Sequence, residues 1–513
     1  MLERFRNYRQ KHSQFLKVVT CLNAAYLVSS LGDRLWSFSM GIIMHRLGGM
    51  SWVAIHQLAE ALCKLLLATR VGDILDRVNR SKGIQSVLAA NNICITISAF
   101  CFYLVFAGVG LAGAQGSNYL LITAILFGAS SRVASEAQKT AFTKDWIVVL
   151  TEKSKGARLS TQNGVMNMID QCAAFLTPFI AGTLLDSYSG QFCCLVIILW
   201  NLMSWALEAV VFLWIYSKTP ELSQQREQPE AEEQAVSPFR KYFRQKAFRS
   251  MFGLALLYMT VLGFDNLAIS YGASQGMSAS QLGFFRSMGS LLGFAGNGFY
   301  AIIERFIGVL LTALIGLTIQ NIFINFCSIS VFLPGNPFNA TGYMANLDAQ
   351  TWLSTIRTSI FRNSTYSTMP ADELTTLPFG DLPSSIIVFF IGITAARVGL
   401  WMADPAITQI MQETIPESER YSVNAAQNVF CEAFSIIKDI LVILFPSTET
   451  FGALIILSCV FVLAGYGFYL SYFISNYSCH KTTAKEEEMK EIRSPEQEKL
   501  MGNGLVEHAL NSA

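Results

Sequence analysis

Residues 72–82 read GDILDRVNRSK and stand between two long apolar stretches, residues 52–72 and 83–112. A helix needs about 20 residues to cross a bilayer, and both stretches are long enough. The short charged segment is therefore a turn that returns the chain to the membrane. Its cluster of arginine and lysine is typical of the cytoplasmic side of a membrane protein. We predict two antiparallel spanning helices joined at the cytoplasmic face.

The composition of the whole chain places most of it inside a membrane. Of its 513 residues, 52% are hydrophobic and only 14% are charged, whereas a soluble protein carries about 25% charged residues. The mean hydropathy is +0.40. The formal net charge of +1 gives no electrostatic basis for binding nucleic acid. The composition predicts an all-α, polytopic membrane protein.

The spacing of the cysteines and the lack of known catalytic motifs argue against several classes of protein. The 11 cysteines are scattered through apolar runs without a CxxC pair, which argues against a disulfide framework and against a zinc site. No nucleophile motif or cofactor loop stands out in the sequence. We therefore expect neither an enzyme nor a prosthetic group.

Twelve stretches are long and apolar enough to span the membrane. A charged segment rich in Gln, Glu and Pro separates the first six from the last six. We predict an N-lobe at residues 1–216, a cytoplasmic linker at 217–248, a C-lobe at 249–477 and a disordered cytoplasmic tail at 478–513. The predicted spans are residues 17–46, 52–72, 83–112, 117–142, 157–184, 190–216, 249–272, 279–303, 306–333, 383–413, 420–446 and 449–476.

Lysine and arginine give the orientation of these spans. They concentrate in the N-terminal arm, in the central linker and in every second connection, and the alternate short connections contain none. By the positive-inside rule, both termini are cytoplasmic. The long loop at residues 334–382 is then extracellular, and its sequons make Asn339 and Asn363 candidate glycosylation sites.

Two six-helix lobes with both termini inside resemble the major facilitator architecture. Residues 72–82 also resemble the G-x-x-x-D-R-x-G-R-[RK] loop of that superfamily. In this interpretation Asp76 pairs with basic residues across the cytoplasmic mouth and holds it shut. The alternative is a turn that is basic only because it faces the cytoplasm.

Ionisable residues inside predicted spans are functional hypotheses, because a charge in the bilayer costs several kcal/mol. Asn201, Ser204 and Glu208 share one helix face through their i, i+3 and i+7 spacing. With a carboxylate from another helix they would form an oxygen cage for a hard cation. The alternative is a hydrogen-bonded seam between helices. Ionisable residues of this kind include Asp33, Glu60, Lys64, Asp170, Glu208, Asp265, Arg397, Asp404, Glu432, Lys438 and Asp439.

Several segments resemble the ferroportins, a family of vertebrate and invertebrate iron exporters. The resemblance covers nearly all of the membrane part and leaves out the linker and the tail. It implies export of ferrous iron from the cytosol across the plasma membrane by alternating access, with proton exchange and calcium stimulation. The segments that carry it are residues 32–36 (GDRLW), 145–149 (DWIVV), 169–171 (IDQ), 200–202 (WNL), 258–265 (YMTVLGFD), 396–401 (ARVGLW) and 417–420 (ESER).

The resemblance also implies particular site residues. Asp33 corresponds to the first-helix aspartate of the N-lobe metal site. The calcium cage of the family matches Asp33, Asn91, Asn201, Ser204 and Glu208, with Asn91 in place of a glutamine. This match favours the cage over the seam. The gate of the family matches Asp76, Arg80, Asp145, Asp170 and Arg420, while Asn167 replaces an arginine.

Three positions depart from the metal ligands of the family. Ser37 replaces a histidine near Asp33, Asn266 replaces a cysteine, and Lys438 replaces a histidine. Fe²⁺ prefers imidazole or thiolate to a hydroxyl or amide, and a protonated ammonium is not a ligand. We expect Lys438 to supply a fixed positive charge and the C-lobe metal site to be weak or absent. The replaced cysteine takes part in hepcidin binding in vertebrates, so Asn266 argues against hepcidin binding here.

Helix two offers a possible replacement ligand. His56 and Glu60 are at i and i+4 and share a helix face, so they could bind a metal together. The alternative is that Glu60 pairs with Lys64, also at i+4, and that His56 hydrogen-bonds locally.

The leading hypothesis is thus an exporter of Fe²⁺, with Ca²⁺ as activator and protons as exchanged ions. The donor types do not separate Fe²⁺ from Co²⁺, Mn²⁺, Zn²⁺ or Ni²⁺. A transporter of another divalent metal or of a small organic solute remains an alternative, because a fold does not decide a substrate. A receptor-like relative that transports nothing is the third possibility.

Overall fold

The computed structural model describes residues 2–108, 114–152, 159–219, 222, 238–345, 348–360 and 382–492. These residues form helices and connections, with no strand among them. A π-helical turn, Ala141–Trp146, joins α3 to α4. The helices are α1 (Leu2–Arg77), α2 (Arg80–Phe106), α3 (Ala114–Thr140), α4 (Ile147–Glu152), α5 (Leu159–Ser187), α6 (Gly190–Lys218), α7 (Pro238–Arg244), α8 (Phe248–Leu256), α9 (Asn266–Ser274), α10 (Ala279–Ile307), α11 (Val309–Val331), α12 (Ala340–Ala345), α13 (Ala349–Ile360), α14 (Ser384–Thr414), α15 (Glu417–Leu444) and α16 (Thr448–Ile492).

The first two predicted spans form one helical element that breaks at Gly49. This residue has φ +72° and ψ −162°, so the helix is interrupted there and α1 contains two passes. Positive φ is readily adopted only by glycine, which explains the position of the break. The chain thus reverses across the membrane without an extended loop.

The predicted span at 249–272 is not one continuous helix. It consists of α8 and α9, separated by a non-helical stretch at residues 257–265. The Asp265 side chain caps α9 by accepting a hydrogen bond from the Ala268 N–H at 3.2 Å. Non-helical backbone at membrane depth is tolerated where protein or a cavity surrounds it.

Eight segments of the described chain are long and apolar enough to cross a membrane. One of them, Leu16–Leu67, contains both passes of α1. The α8–α9 pair, α10 and α15 supply the remaining passes of the twelve predicted. Polar and charged residues within α10 and α15 keep these two predicted spans out of the eight.

Helices α1, α2, α3, α5 and α6 pack against one another, and so do α8, α10, α11, α14 and α16. The two halves meet where α1 contacts α9 and α15, and where α5 contacts α10. At the α5–α10 contact a Cβ added to Gly182 would lie 2.3 Å from the Ala279 carbonyl oxygen. Small residues therefore let the two backbones touch across the interface.

Three expected irregular regions contain helices. In the predicted linker, α7 packs on α15, and the buried Tyr242 hydroxyl donates to Gln427 Oε1 at 2.7 Å. The loop at 334–382 contains α12 and α13, and α13 contacts α1. The tail was expected to be disordered from residue 478, but α16 continues to Ile492. Polar composition alone did not reveal these helices.

Candidate functional site

Asp33 lies at the centre of a polar cluster in the first half of the molecule. Asn91 Nδ2 of α2 donates to Asp33 Oδ1 at 3.2 Å, and Ser135 Oγ of α3 donates to Asp33 Oδ2 at 2.6 Å. Both donors are neutral. In the described part of the chain, no basic side chain lies within 4.0 Å of this carboxylate. Its negative charge is therefore not cancelled by a salt bridge.

Gln138 connects Asn91 to Glu208. Its Oε1 accepts a hydrogen bond from Asn91 Nδ2 at 3.3 Å, and its Nε2 donates to Glu208 Oε2 at 2.9 Å. The same Nε2 donates to Ser29 Oγ at 2.8 Å. Side chains from α1, α2, α3 and α6 thus form one connected network.

One oxygen of this network has no partner. Asn91 is 3% exposed, and its Oδ1 makes no hydrogen bond to the described residues. A buried amide oxygen without a partner is destabilising by about 1–3 kcal/mol. Because it belongs to the amide whose nitrogen donates to Asp33, it lies beside a carboxyl group that forms no salt bridge in the described chain. This pair of features is what a cation ligand set provides.

Asn201 and Ser204 are buried on the same helix as Glu208. Asn201 Nδ2 donates to the Asn92 carbonyl at 2.7 Å and to Thr96 Oγ1 at 3.1 Å, while Ser204 Oγ donates to the Asn201 carbonyl at 3.0 Å. The two Asn201 bonds fix α6 against α2, whereas the Ser204 bond stays within α6. The structure connects Asp33 directly to Asn91 and, through Gln138, to Glu208, and it gives Asn201 the partners of a helix seam.

The second half has a different arrangement around Asp265. Lys438 Nζ donates to Asp265 Oδ2 at 2.7 Å and lies 3.4 Å from Asp439 Oδ1. Lys438 and Asp439 are 7% and 1% exposed. An ammonium ion thus occupies the space between two carboxylates.

Ser37 and Asn266 lie near these two clusters. Ser37 is half-buried on α1, one turn after Asp33. Asn266 is the first residue of α9, and its Oδ1 accepts a hydrogen bond from Arg286 Nη1 at 3.4 Å. It also packs on Gly41 of α1, where an added Cβ would lie 2.6 Å from Asn266 Oδ1.

Of the alternative proposed for helix two, the Glu60–Lys64 pair is wrong. Glu60 contacts His56, with Nε2 and Oε1 3.3 Å apart, while Lys64 pairs with Glu432 of α15 across the two halves. His56 is 1% exposed, and its Nδ1 has no partner among the described residues. An acidic partner on another helix thus replaces the i−4 contact of Lys64.

Of the predicted gate residues, Asp170 has the clearest partners. Its Oδ1 lies 3.1 Å from Arg34 Nη2, and its Oδ2 accepts a hydrogen bond from Lys139 Nζ at 2.9 Å. Arg34 and Lys139 were not predicted as gate residues. Arg80 is half-buried at the start of α2. The side chains of Asp76, Asp145 and Arg420 lie outside the described part of the structure.

Of the two glycosylation candidates, only one lies in the described part of the structure. Asn339 is exposed next to α12, and its Oδ1 accepts a hydrogen bond from the Gly342 N–H at 2.9 Å. Asn363 lies outside the described residues.

Sequence reasoning missed the three residues that complete the Asp33 network. Ser29, Ser135 and Gln138 are polar residues inside predicted spans, and the last two share a helix face at i and i+3. The shared helix face of Ser135 and Gln138 was the signal in the sequence that could have identified these two residues. Within the described chain, no three His, Cys, Asp or Glu side chains form a metal-binding group. The candidate ligands are therefore carboxylates supplemented by amides and hydroxyls.

The comparisons with known proteins agree with this architecture. The chain is 28% identical to human ferroportin, over 93% of this chain and 94% of that protein. It is 23% identical to solute carrier family 40 member 1 of rice, over 87% of this chain and 89% of that protein. A bacterial homologue of the iron transporter ferroportin, solved in an inward-facing state, superposes with a TM-score of 0.68 and 18% identity, covering 89% and 99% of the two chains. The Ferroportin1 family model matches residues 16–462, and the chain belongs to that family of membrane transporters.

Proposed function

We propose that this protein exports ferrous iron from the cytosol, and that the Asp33 network is its transport site. Family membership and the names of the similar proteins support iron as the substrate. The half-buried position of Asp33, on a helix that contacts both halves, supports a site that opens alternately to the two sides.

The partnerless Asn91 Oδ1 beside the Asp33 carboxylate carries this proposal. A neutral hydrogen-bonded seam would use the amide oxygen, whereas a cation site leaves it available. Glu208, 2% exposed, adds a second carboxylate that Gln138 connects to the first. A divalent cation would bind the amide oxygen and both carboxyl groups together.

Calcium stimulation follows from the same set of donors. Carboxylate and amide oxygens suit Ca²⁺ better than Fe²⁺, which binds nitrogen and sulfur ligands well. We infer that Ca²⁺ activates transport by binding the oxygen atoms of the network that connects Asn91 to Glu208. Asn201 and Ser204 would approach this cage when Ca²⁺ is bound. Proton exchange would use the carboxylates that a departing metal leaves without a counter-ion.

The Asp265 cluster is proposed to bind no transported metal. Lys438 Nζ already provides the positive charge between Asp265 and Asp439. Asn266 offers its amide oxygen to Arg286, not to a metal. His56 and Glu60 are a second, weaker candidate, because the imidazole Nδ1 is free while Nε2 contacts the carboxylate.

We propose a plasma-membrane location with both termini cytoplasmic and Asp76, Arg80, Asp145, Asp170 and Arg420 at the cytoplasmic gate. Asn339 is exposed, as a glycan acceptor has to be. Asn339→Gln should abolish one glycan-dependent shift in electrophoretic mobility. An unchanged shift in both Asn339→Gln and Asn363→Gln would contradict the orientation.

Efflux of radiolabelled iron tests the function. Cells that express the protein should lose ⁵⁵Fe faster than control cells, and external Ca²⁺ should increase the rate. Asp33→Ala should reduce efflux to the rate of control cells. Asp348, an exposed aspartate between α12 and α13, provides the control, because Asp348→Ala should retain the faster efflux at equal surface expression. Efflux no faster than in control cells, for iron and for Co²⁺, Mn²⁺, Zn²⁺ and Ni²⁺, would refute a metal exporter.

A further inference from the structure

Two arginines in the second half have no carboxylate within 4.0 Å among the described residues. Arg286 of α10 and Arg397 of α14 are both half-buried. In the described chain, the only polar contact of Arg286 is the 3.4 Å hydrogen bond to Asn266, and Arg397 has none. Each guanidinium carries five N–H donors, so most of their donors are unused.

Aromatic rings provide the remaining contacts of these arginines. The Arg286 guanidinium lies 5.5 Å from the centre of the Phe38 ring, and the Arg397 guanidinium lies 5.7 Å from the centre of the Phe264 ring. Cation–π contacts contribute about 0.5–2 kcal/mol. They orient a guanidinium without using its in-plane N–H donors, which therefore remain available to an oxygen acceptor.

The break between α8 and α9 lies between the two arginines. Arg397 approaches this break at Phe264, and Arg286 approaches it at Asn266. The N–H groups of Gly263 and Phe264 donate to no group in the described part of the chain. Broken helices in transporters direct such donors, together with the positive end of the second half-helix, at anionic groups.

Asp265 is the nearest acidic candidate to neutralise the arginines, but its oxygens already have partners. Oδ2 accepts a hydrogen bond from Lys438, and Oδ1 accepts one from the Ala268 N–H. Lys438 also contacts Asp439. These groups therefore form a closed set that leaves the arginine donors unused.

Charged groups of both halves lie around Arg286. Arg34 and Arg132 from the first half interact electrostatically with Arg286, as do Arg397 and Asp265 from the second. Arg34 pairs with Asp170, and Arg132 pairs with Glu136 at 2.9 Å. Unpaired positive charge within a membrane protein is costly and marks a functional site by default.

We propose that Arg286, Arg397 and the α8–α9 break form a binding site for a small oxyanion, with carboxylate or phosphate groups as the ligand chemistry. The planar guanidinium fork matches both groups through paired N–H···O bonds. The anion would neutralise the two arginines and accept hydrogen bonds from the Gly263 and Phe264 N–H groups at the break. The site is separate from the Asp33 network, and its occupation does not depend on iron transport.

Anion binding to the purified full-length protein tests this proposal without any metal. Isothermal titration with succinate and with inorganic phosphate, at constant ionic strength set by chloride, should show saturable binding of at least one of them. Succinate alone would indicate a carboxylate ligand, and phosphate alone would indicate a phosphate ligand. No saturable binding of either anion to the wild-type protein would overturn the proposal.

Three variants locate the binding. Arg286→Gln and Arg397→Gln should each weaken it about tenfold or more, because each removes a charge-assisted hydrogen bond. Arg397→Lys, which keeps the charge but loses the fork, should bind with intermediate affinity. Arg357→Gln, at an exposed arginine of α13, is the control and should bind like the wild type. Unchanged binding in the double Arg286→Gln/Arg397→Gln variant would overturn the proposal.

Discussion

The Asp33 network and the Asp265 cluster both place aspartates inside the helix bundle, yet they treat the negative charge in opposite ways. Asp33 receives hydrogen bonds from the neutral donors Asn91 and Ser135. Asp265 receives the ammonium of Lys438 at 2.7 Å. The first cluster has no basic side chain in contact with its aspartate and has an amide oxygen without a partner among the described residues, and the other contains its own cation. The comparison teaches that only the first is ready for an external cation.

The amide chemistry of the first cluster sharpens this contrast. The resemblance to ferroportins puts Asn91 where the family has a glutamine, and in this structure Gln138 of α3 provides a glutamine amide between Asn91 and Glu208. The same resemblance puts Lys438 and Asn266 where the family has nitrogen and sulfur ligands.

The largest effect is expected from removing the internal cation. Lys438→Met removes the ammonium that contacts the half-buried Asp265 and the buried Asp439, which should destabilise the protein by about 3–5 kcal/mol. Added Mn²⁺ should recover part of this loss by binding between the two carboxylates. Thermal unfolding of the purified protein, with and without Mn²⁺, measures both effects.

Lys64→Met is the matched control for that experiment. Lys64 also pairs with a carboxylate, but its side chain is 45% exposed, so its loss should lower stability by about 1 kcal/mol or less. Equal melting temperatures for Lys64→Met and Lys438→Met would contradict the internal-cation interpretation.

A smaller effect is expected from Gln138→Leu. This change leaves Asn91 and Glu208 without their shared partner, a loss of about 1–3 kcal/mol. Binding of ⁴⁵Ca²⁺ should weaken about tenfold, because the cage loses the link between its two carboxylates. Gln191→Leu, which loses a half-buried bond to the Phe106 carbonyl far from the network, should bind Ca²⁺ normally. Normal Ca²⁺ binding by Gln138→Leu would remove Gln138 from the site.

The smallest effect is expected at the Lys64–Glu432 pair, which connects the halves independently of either cluster. Lys64→Glu places two carboxylates together and should slow iron efflux a few-fold by shifting the balance between open states. The reversed pair Lys64→Glu/Glu432→Lys should restore the rate. A double variant as slow as Lys64→Glu would show that the pairing itself has no role.

Much of the fold follows from the sequence, because hydropathy identifies passes that are apolar on most sides. The break at residues 257–265 was not predictable in this way, since most of its residues are apolar. It depends on contacts from elsewhere, such as the Ser458 hydroxyl that accepts a hydrogen bond from the Val261 N–H at 3.0 Å. Gly49 was placed correctly in a connection, but the near-absence of a loop there depends on its backbone conformation.

The site was predictable only where its residues share a helix. The spacing of Asn201, Ser204 and Glu208 put them on one face, and they are all buried there. The same reasoning failed for Lys64, because spacing reveals neighbours at i+4 and gives no information on Glu432 of another helix. Gln138 was missed for the same reason, since its partners lie on α1, α2 and α6.

Counting the divalent metal ions bound per chain tests the contrast between the two halves most directly. Equilibrium dialysis of the purified full-length protein with ⁵⁷Co²⁺ should show one saturable site. We predict that Asp33→Ala removes this site, that Asp348→Ala retains it, and that Lys438→Met gains a second. Two sites in the wild-type protein, or one site that survives Asp33→Ala, would contradict the assignment of metal binding to the Asp33 network alone.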